Sequence, residues 1–578
     1  MNDSASDKHF DAIIVGSGFG GSVTAYRLAE AGLSVCVLER GKAYPPGEFP
    51  RAPHRMQKNF WDPSEGLHGM YNIWSFSGLG AVVCSGLGGG SLIYANVLIR
   101  KPEKWFVKED LDRGGFEYWP VTRDDLDPHY DQVETMLGAQ RYPIDEEPYN
   151  EVPKAREFRE AGKRLKLHPE LPKLAVTFGN EGEKPAPGEP IHGGFWEIEG
   201  RKRTRYTCRL VGECDLGCNY GSKNTLDYNY LAEAKKLGAR ILTRCEVKEF
   251  EPREGGGYEV RYVRHEPERE GKKTDTSRLR RERLTADRLI LSAGSLGSTF
   301  LLLKMKNQGA FPGIGNLLGS RFCGNGDLIT FALKTTRMKD GERVPRLIDA
   351  GYGPVITGAI RYKDQEEDGG EEERGFYIED AGYANFVNWI LETVEVPGDA
   401  IRQFWGGIAG RFLDKFLSRE PETDIGAEVA RLLGSTEFSA DLLPLLGMGR
   451  DVPDGKLSLG DDERLDLDWR IDKSQAYFDG IREKMKDLAE ELGARFSDPL
   501  ERLNRVATVH PLGGCPMGRH AREGVVNEYG AVFGCPPGLY VADGSVMPGP
   551  VGPNPSLTIA ALADRFAGPI IERRGPEE

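Results

Sequence analysis

Asp11-Ala-Ile-Ile-Val15-Gly16-Ser-Gly18-Phe-Gly-Gly21 is a short apolar, β-branched run that breaks into glycines, and Ala25, Leu28 and Ala29 then recur at helical spacing between Thr24 and Ala31. The pattern predicts strand, tight turn and helix in that order. Gly16, Gly18 and Gly21 make G-x-G-x-x-G, in which missing side chains let the chain turn sharply, approach a pyrophosphate and pack helix on strand. The helix N-terminus then offers free N–H groups to the phosphates. Glycine supplies 73 of the 578 residues, so the triplet alone is weak evidence and its continuation decides the reading. Leu33-Ser-Val-Cys-Val-Leu38 reads as a second parallel strand that ends on Glu39, where a carboxylate accepts hydrogen bonds from both ribose hydroxyls of a dinucleotide. An acid at that place disfavours a 2′-phosphate, which argues against NADP.

The remaining composition narrows the class. Hydrophobic residues make up 39% of the chain, enough for large cores, and no stretch approaches the roughly 20 uninterrupted apolar residues of a membrane span. A formal charge of −14 creates no field that attracts polyanions, so nucleic acid is not expected as a partner. Met1 to Phe10 is polar and lacks the basic and apolar regions of a signal peptide, so a soluble, cytoplasmic protein is expected. The nine cysteines cannot all pair with one another and read as reduced thiols. Cys208, Cys214 and Cys218 cluster, but at a spacing that matches neither a zinc ribbon nor a ferredoxin run; they read as buried thiols, with no metal.

The glycine turn does not separate FAD from NAD. Leu87-Gly-Gly-Gly90-Ser-Leu-Ile-Tyr94-Ala95-Asn96-Val, Leu289-Ile-Leu-Ser-Ala293-Gly-Ser-Leu-Gly-Ser298, Val509-His510-Pro511-Leu-Gly-Gly514, Gly538-Leu-Tyr-Val-Ala542-Asp543-Gly544 and Asn554-Pro555-Ser556-Leu-Thr558 follow it. Together these segments resemble the glucose-methanol-choline oxidoreductases, and within that family the bacterial cholesterol oxidases with noncovalent FAD. Gly447-Met-Gly-Arg-Asp451 and Gly319 to Leu328, which contains Gly324-Asn325-Gly326, add to the likeness. Many members have Asn beside the flavin in the glycine loop, where this chain has Tyr94, with Asn96 two residues later.

The resemblance implies an α/β fold, α+β overall. Its Rossmann-like FAD-binding domain is discontinuous (residues 8–105, 204–328 and 502–578), and a substrate domain (106–203 and 329–501) carries a large, mainly antiparallel sheet with helices. FAD is the implied cofactor, in contact with Gly16, Gly18, Gly21, Glu39, Gly90, Tyr94, Ala95, Asn96, Val247, Ala293, Asp543, Gly544, Pro555 and Ser556. Two charge runs, Glu266 to Arg283 and Asp364 to Arg374, read as solvated hairpin tips. Ile401, Phe404, Trp405, Ile408, Phe412 and Phe416 give the segment Ile401–Leu417 one apolar helical face. That face reads as core, with a lid over a greasy pocket or a transient membrane-surface contact as the alternatives.

Oxidising an alcohol with a flavin needs a base within reach of the hydroxyl and a hydride path to flavin N5. His510 stands where the family's His-Pro-Leu-Gly-Gly motif places that base, and Asn554 where it places the polar partner of the same oxygen. His520, between arginines, reads as solvated. Glu379, in Phe376-Tyr-Ile-Glu379-Asp380, is a candidate second acid/base, because steroid oxidases shift a double bond with a pocket glutamate; Asp380 is the fallback. The expected substrate is a bulky hydrophobic secondary alcohol such as a 3-hydroxysteroid, with oxygen or another electron acceptor as the second partner. The rival readings are a flavin dehydrogenase for a non-steroid alcohol and a flavin-binding scaffold without turnover.

Overall fold

Seven strands form the sheet that the N-terminal motif begins. In the computed structural model, which describes residues 9–51, 57–111, 114–198, 200–364, 374–383, 441–501 and 504–573, that motif is β1 (His9–Val15), α1 (Phe19–Glu30) and β2 (Val35–Leu38). The middle of the chain adds β3 (Arg240–Leu242), β4 (Cys245–Pro252), β5 (Tyr258–Arg264), β6 (Arg281–Leu291) and α2 (Gly294–Asn307). The order is β3-β2-β1-β6-β5-β4, parallel from β3 to β6 and antiparallel beyond. The strand Leu539–Val541 pairs in parallel with Leu289–Leu291, taking the part of the β6 edge that β5 leaves open. Ala12 to Val15 are all buried, which is why β1 reads as a continuous apolar run rather than an alternation.

α1 begins at Phe19, earlier than the apolar spacing from Thr24 suggests, because the glycines themselves are helical: the Ser22 N–H donates to the Gly18 carbonyl at 2.9 Å. Their roles separate cleanly. Gly16 has φ +99°, and a Cβ there would lie 2.3 Å from the Ser292 carbonyl oxygen. A Cβ on Gly20 would lie 1.7 Å from the Ala542 oxygen, and one on Gly21 2.2 Å from the Gly16 oxygen. Around Gly18 nothing lies within 4 Å. Three positions are therefore close packing of protein on protein, and Gly18 alone faces open space.

The second sheet carries β7 (Leu328–Leu333), β8 (Ala359–Tyr362), β9 (Phe376–Asp380) and β10 (Leu443–Gly449). With the short strands Pro169–Glu170 and Arg495–Ser497 it is six-stranded and antiparallel throughout, in the order Pro169–Glu170, β8, β9, β10, β7, Arg495–Ser497. Helix α3 (Gln475–Glu491) covers it with Phe478, Ile481, Met485 and Leu488, an i, i+3, i+7, i+10 stripe in one core with Ile378, Leu443 and Leu445. A Cβ on Gly447 would lie 2.4 Å from Ile481, so the glycine lets the helix settle on the sheet.

The Glu266–Arg283 run forms the tip between β5 and β6 but is tied back: Glu270 accepts from Lys42 at 2.6 Å and from Arg244 at 2.9 Å. Of the second charge run, Asp364 holds Arg450 at 3.1 Å and the Trp105 indole N–H at 2.6 Å. The apolar segment Ile401–Leu417 lies outside the described residues. Among the described residues no helix is long and apolar enough to cross a membrane.

Candidate functional site

Both sheets open onto one cavity of about 890 Å³. Gly16, Gly18 and Glu39 line it, with Val247 on β4. The Glu39 carboxylate accepts from the Ser17 hydroxyl (2.6 Å), the Ser17 N–H (3.1 Å) and the Gly41 N–H (2.8 Å). Burial pushes its carboxyl up against the pull of those donors. The Gly88 N–H donates to the Ser17 hydroxyl at 3.0 Å, and a Cβ on Gly89 would lie 2.6 Å from the Gly18 Cα, so the second glycine loop is seated on the first. Gly90, Tyr94 and Ala95 of that loop line the cavity, as do Ala293, Asp543, Gly544, Pro555 and Ser556.

Phe19, Gly294 and Ser556, the first residues of three helices, all line the cavity. Their N-termini bring the positive ends of three helix dipoles to one space. Asp543 is committed elsewhere: its two oxygens accept from the Gly294 N–H (2.9 Å), Ser298 hydroxyl (2.5 Å), Ser545 N–H (2.9 Å) and Ser545 hydroxyl (2.6 Å). It joins the start of α2 to the C-terminal segment. These features fit an extended dinucleotide: an open Gly18 cradle, the Glu39 carboxylate with one acceptor position left, and the Ser556 hydroxyl buried without a protein partner.

His510 follows the strand Val506–Thr508, which runs parallel to Leu79–Ala81. Its Nδ1 lies 2.8 Å from Asp327 Oδ1, and the ring lines the cavity with 14% of the side chain exposed. Asp327, 1% exposed, also accepts from the Thr508 hydroxyl at 2.9 Å and the Val509 N–H at 2.9 Å. This aspartate escaped the sequence reading. It lies in the Gly319–Leu328 segment that carried part of the resemblance, but only its packing against His510 marks it as part of the site.

Asn554 precedes the helix Ser556–Ile571 and lines the cavity. Its Nδ2 donates to Glu379 Oε2 at 3.3 Å, while Asn554 Oδ1 and Glu379 Oε1 are both buried without a partner. Glu379, fully buried on β9, does not itself line the cavity and sits behind Asn554. Burial pushes its carboxyl up to about 8. Asp380 is a structural residue here: it pairs with the buried Lys154 at 3.1 Å and accepts from Thr357 N (2.8 Å), Thr357 Oγ1 (2.6 Å) and Gly358 N (2.7 Å).

The Tyr94 ring lies edge-on to Phe19 at 5.3 Å, and its hydroxyl donates to the Asn224 carbonyl at 3.3 Å. Asn96 adopts φ +71° and does not line the cavity; it is fully buried, and neither polar atom of its side chain has a partner. Gly21 likewise serves helix packing rather than the cavity. Cys208 and Cys214 pack in an apolar cluster with Tyr142, Tyr149 and Phe178, where burial pushes both thiols up. His520 is exposed. Part of the cavity lining is apolar: Trp74, Phe300, Ile329, Phe331, Leu446 and Val509 belong to it. Ile329 and Val509 are 36% and 44% exposed, placing greasy side chains where the cavity meets solvent.

Comparison with known proteins gives the same assignment along the chain. The GMC oxidoreductase family models match residues 196–316 and 468–563, and an NAD(P)-binding Rossmann-like domain model matches residues 14–45. A cholesterol oxidase of Mycobacterium tuberculosis is 31% identical over 96% of this chain and 90% of its own length. One of Acinetobacter baumannii is 28% identical over 98% and 96%. A 2-methyl-1,2-propanediol dehydrogenase of Mycolicibacterium austroafricanum is 24% identical over 98% and 95%. Because the likeness runs nearly end to end and the matched segments are those that meet around the cavity, the chain belongs to the glucose-methanol-choline (GMC) oxidoreductase family, whose members carry a flavin.

Proposed function

We propose that the protein binds FAD and oxidises a bulky hydrophobic secondary alcohol of the 3-hydroxysteroid class to a ketone. The observation that carries this reading is that His510 and Asn554, whose amide nitrogen keeps a second hydrogen beyond the one given to Glu379, both line a cavity that also has an apolar wall. Gly16, Gly18 and the start of α1 would hold the pyrophosphate, Glu39 the adenosine ribose, and Gly90, Tyr94, Ala293 and Ser556 the flavin side. Once bound, the flavin supplies the acceptor for the hydride that leaves the substrate carbon.

The protein's own work is proton handling and orientation. With Nδ1 turned to Asp327, His510 presents Nε2 to the cavity, and Nε2 takes the hydroxyl proton as the carbon–hydrogen bond breaks. Asn554 holds the same oxygen through its amide. Few other polar contacts are needed, because apolar burial contributes about 25 cal/mol per Å² before association costs. For a substrate with a neighbouring double bond, Glu379 behind Asn554 would, in its ionised form, take a carbon-bound proton and return it to another carbon. The electron acceptor is oxygen or another oxidant, and the dehydrogenase among the relatives supports the latter as a second reading.

The test is anaerobic flavin reduction by a panel of sterols, long-chain alcohols, aryl alcohols and sugars, followed by oxygen consumption against dye acceptors. Fastest reduction by a sterol is expected, with intact FAD released on denaturation. Preference for a sugar or a small primary alcohol would overturn the steroid assignment, and absence of reduction by every alcohol would leave a flavin-binding scaffold.

A further inference from the structure

We infer that one buried turn, Asn325-Gly326-Asp327, aligns both catalytic side chains: Asp327 locks the tautomer of His510, and Asn325 clamps the loop that delivers Asn554. The inference rests on the roles proposed above for His510 and Asn554, which are far apart in sequence and reach the cavity on separate loops.

Asp327 is fixed before it meets the imidazole. Its Oδ2 accepts from the Thr508 hydroxyl (2.9 Å), the Val509 N–H (2.9 Å) and the His510 N–H (3.2 Å), so the chain leading into His510 sets the plane of the carboxylate. Oδ1 is left for His510 Nδ1 at 2.8 Å. An ionised carboxylate only accepts, so Nδ1 of the neutral ring must carry the hydrogen and Nε2 is free to receive one.

Asn325 spends its whole amide on the two residues ahead of Asn554. Oδ1 accepts from the Gly552 N–H at 2.9 Å, and Nδ2 donates to the carbonyls of Gly552 (3.2 Å) and Pro553 (3.1 Å). The turn is in turn pinned from the substrate side. The Gly324 N–H donates to Asp451 Oδ2 (2.9 Å), the Gly449 N–H to the Asn325 carbonyl (2.9 Å), and the Tyr477 hydroxyl to the Gly326 carbonyl (2.8 Å). Gly326 has φ +66°, and a Cβ there would lie 2.3 Å from the Tyr477 hydroxyl, so no other residue fits. Asn325 takes φ +56°, which asparagine tolerates better than most residues. The segment Gly447–Asp451 thus acquires a purpose: Gly449 and Asp451 hold the turn from which β7 starts, and both catalytic loops are referred to that one rigid point. Small errors in such alignment are costly in rate.

The direct test reads the nitrogens of His510 in flavin-loaded protein by NMR of selectively ¹⁵N-labelled histidine, assigned with His510→Gln. In the neutral ring of the wild type, Nδ1 is expected to be protonated and Nε2 not. In Asp327→Asn the backbone donors claim the amide oxygen, its nitrogen faces Nδ1, and the tautomer reverses. The limiting rate of flavin reduction then falls about 10²- to 10⁴-fold while substrate affinity stays within about twofold. Asn325→Gly, which keeps the left-handed backbone, is expected to speed hydrogen exchange at Gly552 about tenfold and leave the His510 tautomer as it was. An Nε2-protonated wild type, an unchanged tautomer in Asp327→Asn, or unchanged exchange at Gly552 in Asn325→Gly overturns the inference. The wild-type measurement needs only the His510→Gln variant, used for assignment, to fold. A wild type that no alcohol reduces would instead overturn the proposed reaction, and the nitrogen and exchange measurements still decide the turn.

Discussion

The Asn554 amide nitrogen donates to Glu379 Oε2 at 3.3 Å, while the Asn554 amide oxygen and the other Glu379 oxygen are buried and unpartnered. Burial pushes the Glu379 carboxyl up to about 8, so at neutral pH it carries a proton. The pair then holds more hydrogen-bonding capacity than it uses internally. The second Asn554 amide N–H is the part a substrate oxygen would engage.

Glu379→Gln replaces the carboxyl with a neutral group of the same shape. In the wild type the native state keeps a proton that the unfolded chain releases above the ordinary glutamate value of 4.5, so stability falls as pH rises from there to about 8 and levels off beyond. The variant loses that slope and is expected to gain roughly 2–4 kcal/mol relative to the wild type between pH 5 and 8. Asp451, also pushed up to about 8, keeps its own contribution in both proteins. Urea unfolding across pH 5–9 measures the difference; parallel curves would contradict the burial argument. With a sterol bearing a 5,6 double bond, the same variant is expected to oxidise normally and to isomerise poorly.

Gly18→Ala and Gly20→Ala separate cofactor binding from folding. A methyl at Gly18 enters open space at φ −69°, so stability should stay within about 0.5 kcal/mol while flavin retention is lost. A methyl at Gly20 runs into the Ala542 carbonyl, and that variant is expected to be insoluble or strongly destabilised. Thermal unfolding and bound-flavin absorbance distinguish the two.

The strand-turn-helix and Glu39 were legible because one short stretch of chain carries the whole unit, and local periodicity reports it. Only the resemblance singles out His510 and Asn554, since nothing local distinguishes them from other histidines and asparagines; the structure places both on the cavity. Asp327 and Asn325 were not read as functional, although the segment around them drew notice. Their roles exist only once the turn is packed against residues 508–510 and 552–553, and no spacing rule spans that distance. Asn96 shows how far a loop position alone can speak. Its place in the glycine loop suggested a flavin contact, but the positive φ that follows the turn leaves it buried away from the cavity.

His510→Ala should retain the fold and the yellow colour and lose roughly 10²–10⁴-fold in alcohol-dependent flavin reduction, the usual contribution of a positioned base. Asn554→Ala should slow the same step. Stopped-flow reduction at wild-type rates in the His510 variant would remove it from the reaction.

Glu39→Ala removes the acceptor shared by Ser17 and Gly41 and the carboxylate proposed to hold the ribose. Losing charged hydrogen bonds of this kind weakens FAD binding about 10- to 100-fold. Equilibrium dialysis of the apoprotein against FAD gives the constant, and unchanged affinity would argue for a different cofactor orientation.

The parallel pairing of Leu539–Val541 with β6, and the seating of Gly20 under Ala542, also set a timetable. A ribosome makes the phosphate turn early and its floor late, and at about 5–20 residues per second the interval is roughly half a minute to two minutes. Throughout that time the open part of the β6 edge is an unpaired template for other strands. Cofactor capture therefore belongs to the end of synthesis, and flavin supply and chaperone cover at that moment, more than the strength of any single contact, would govern how much active protein a cell recovers.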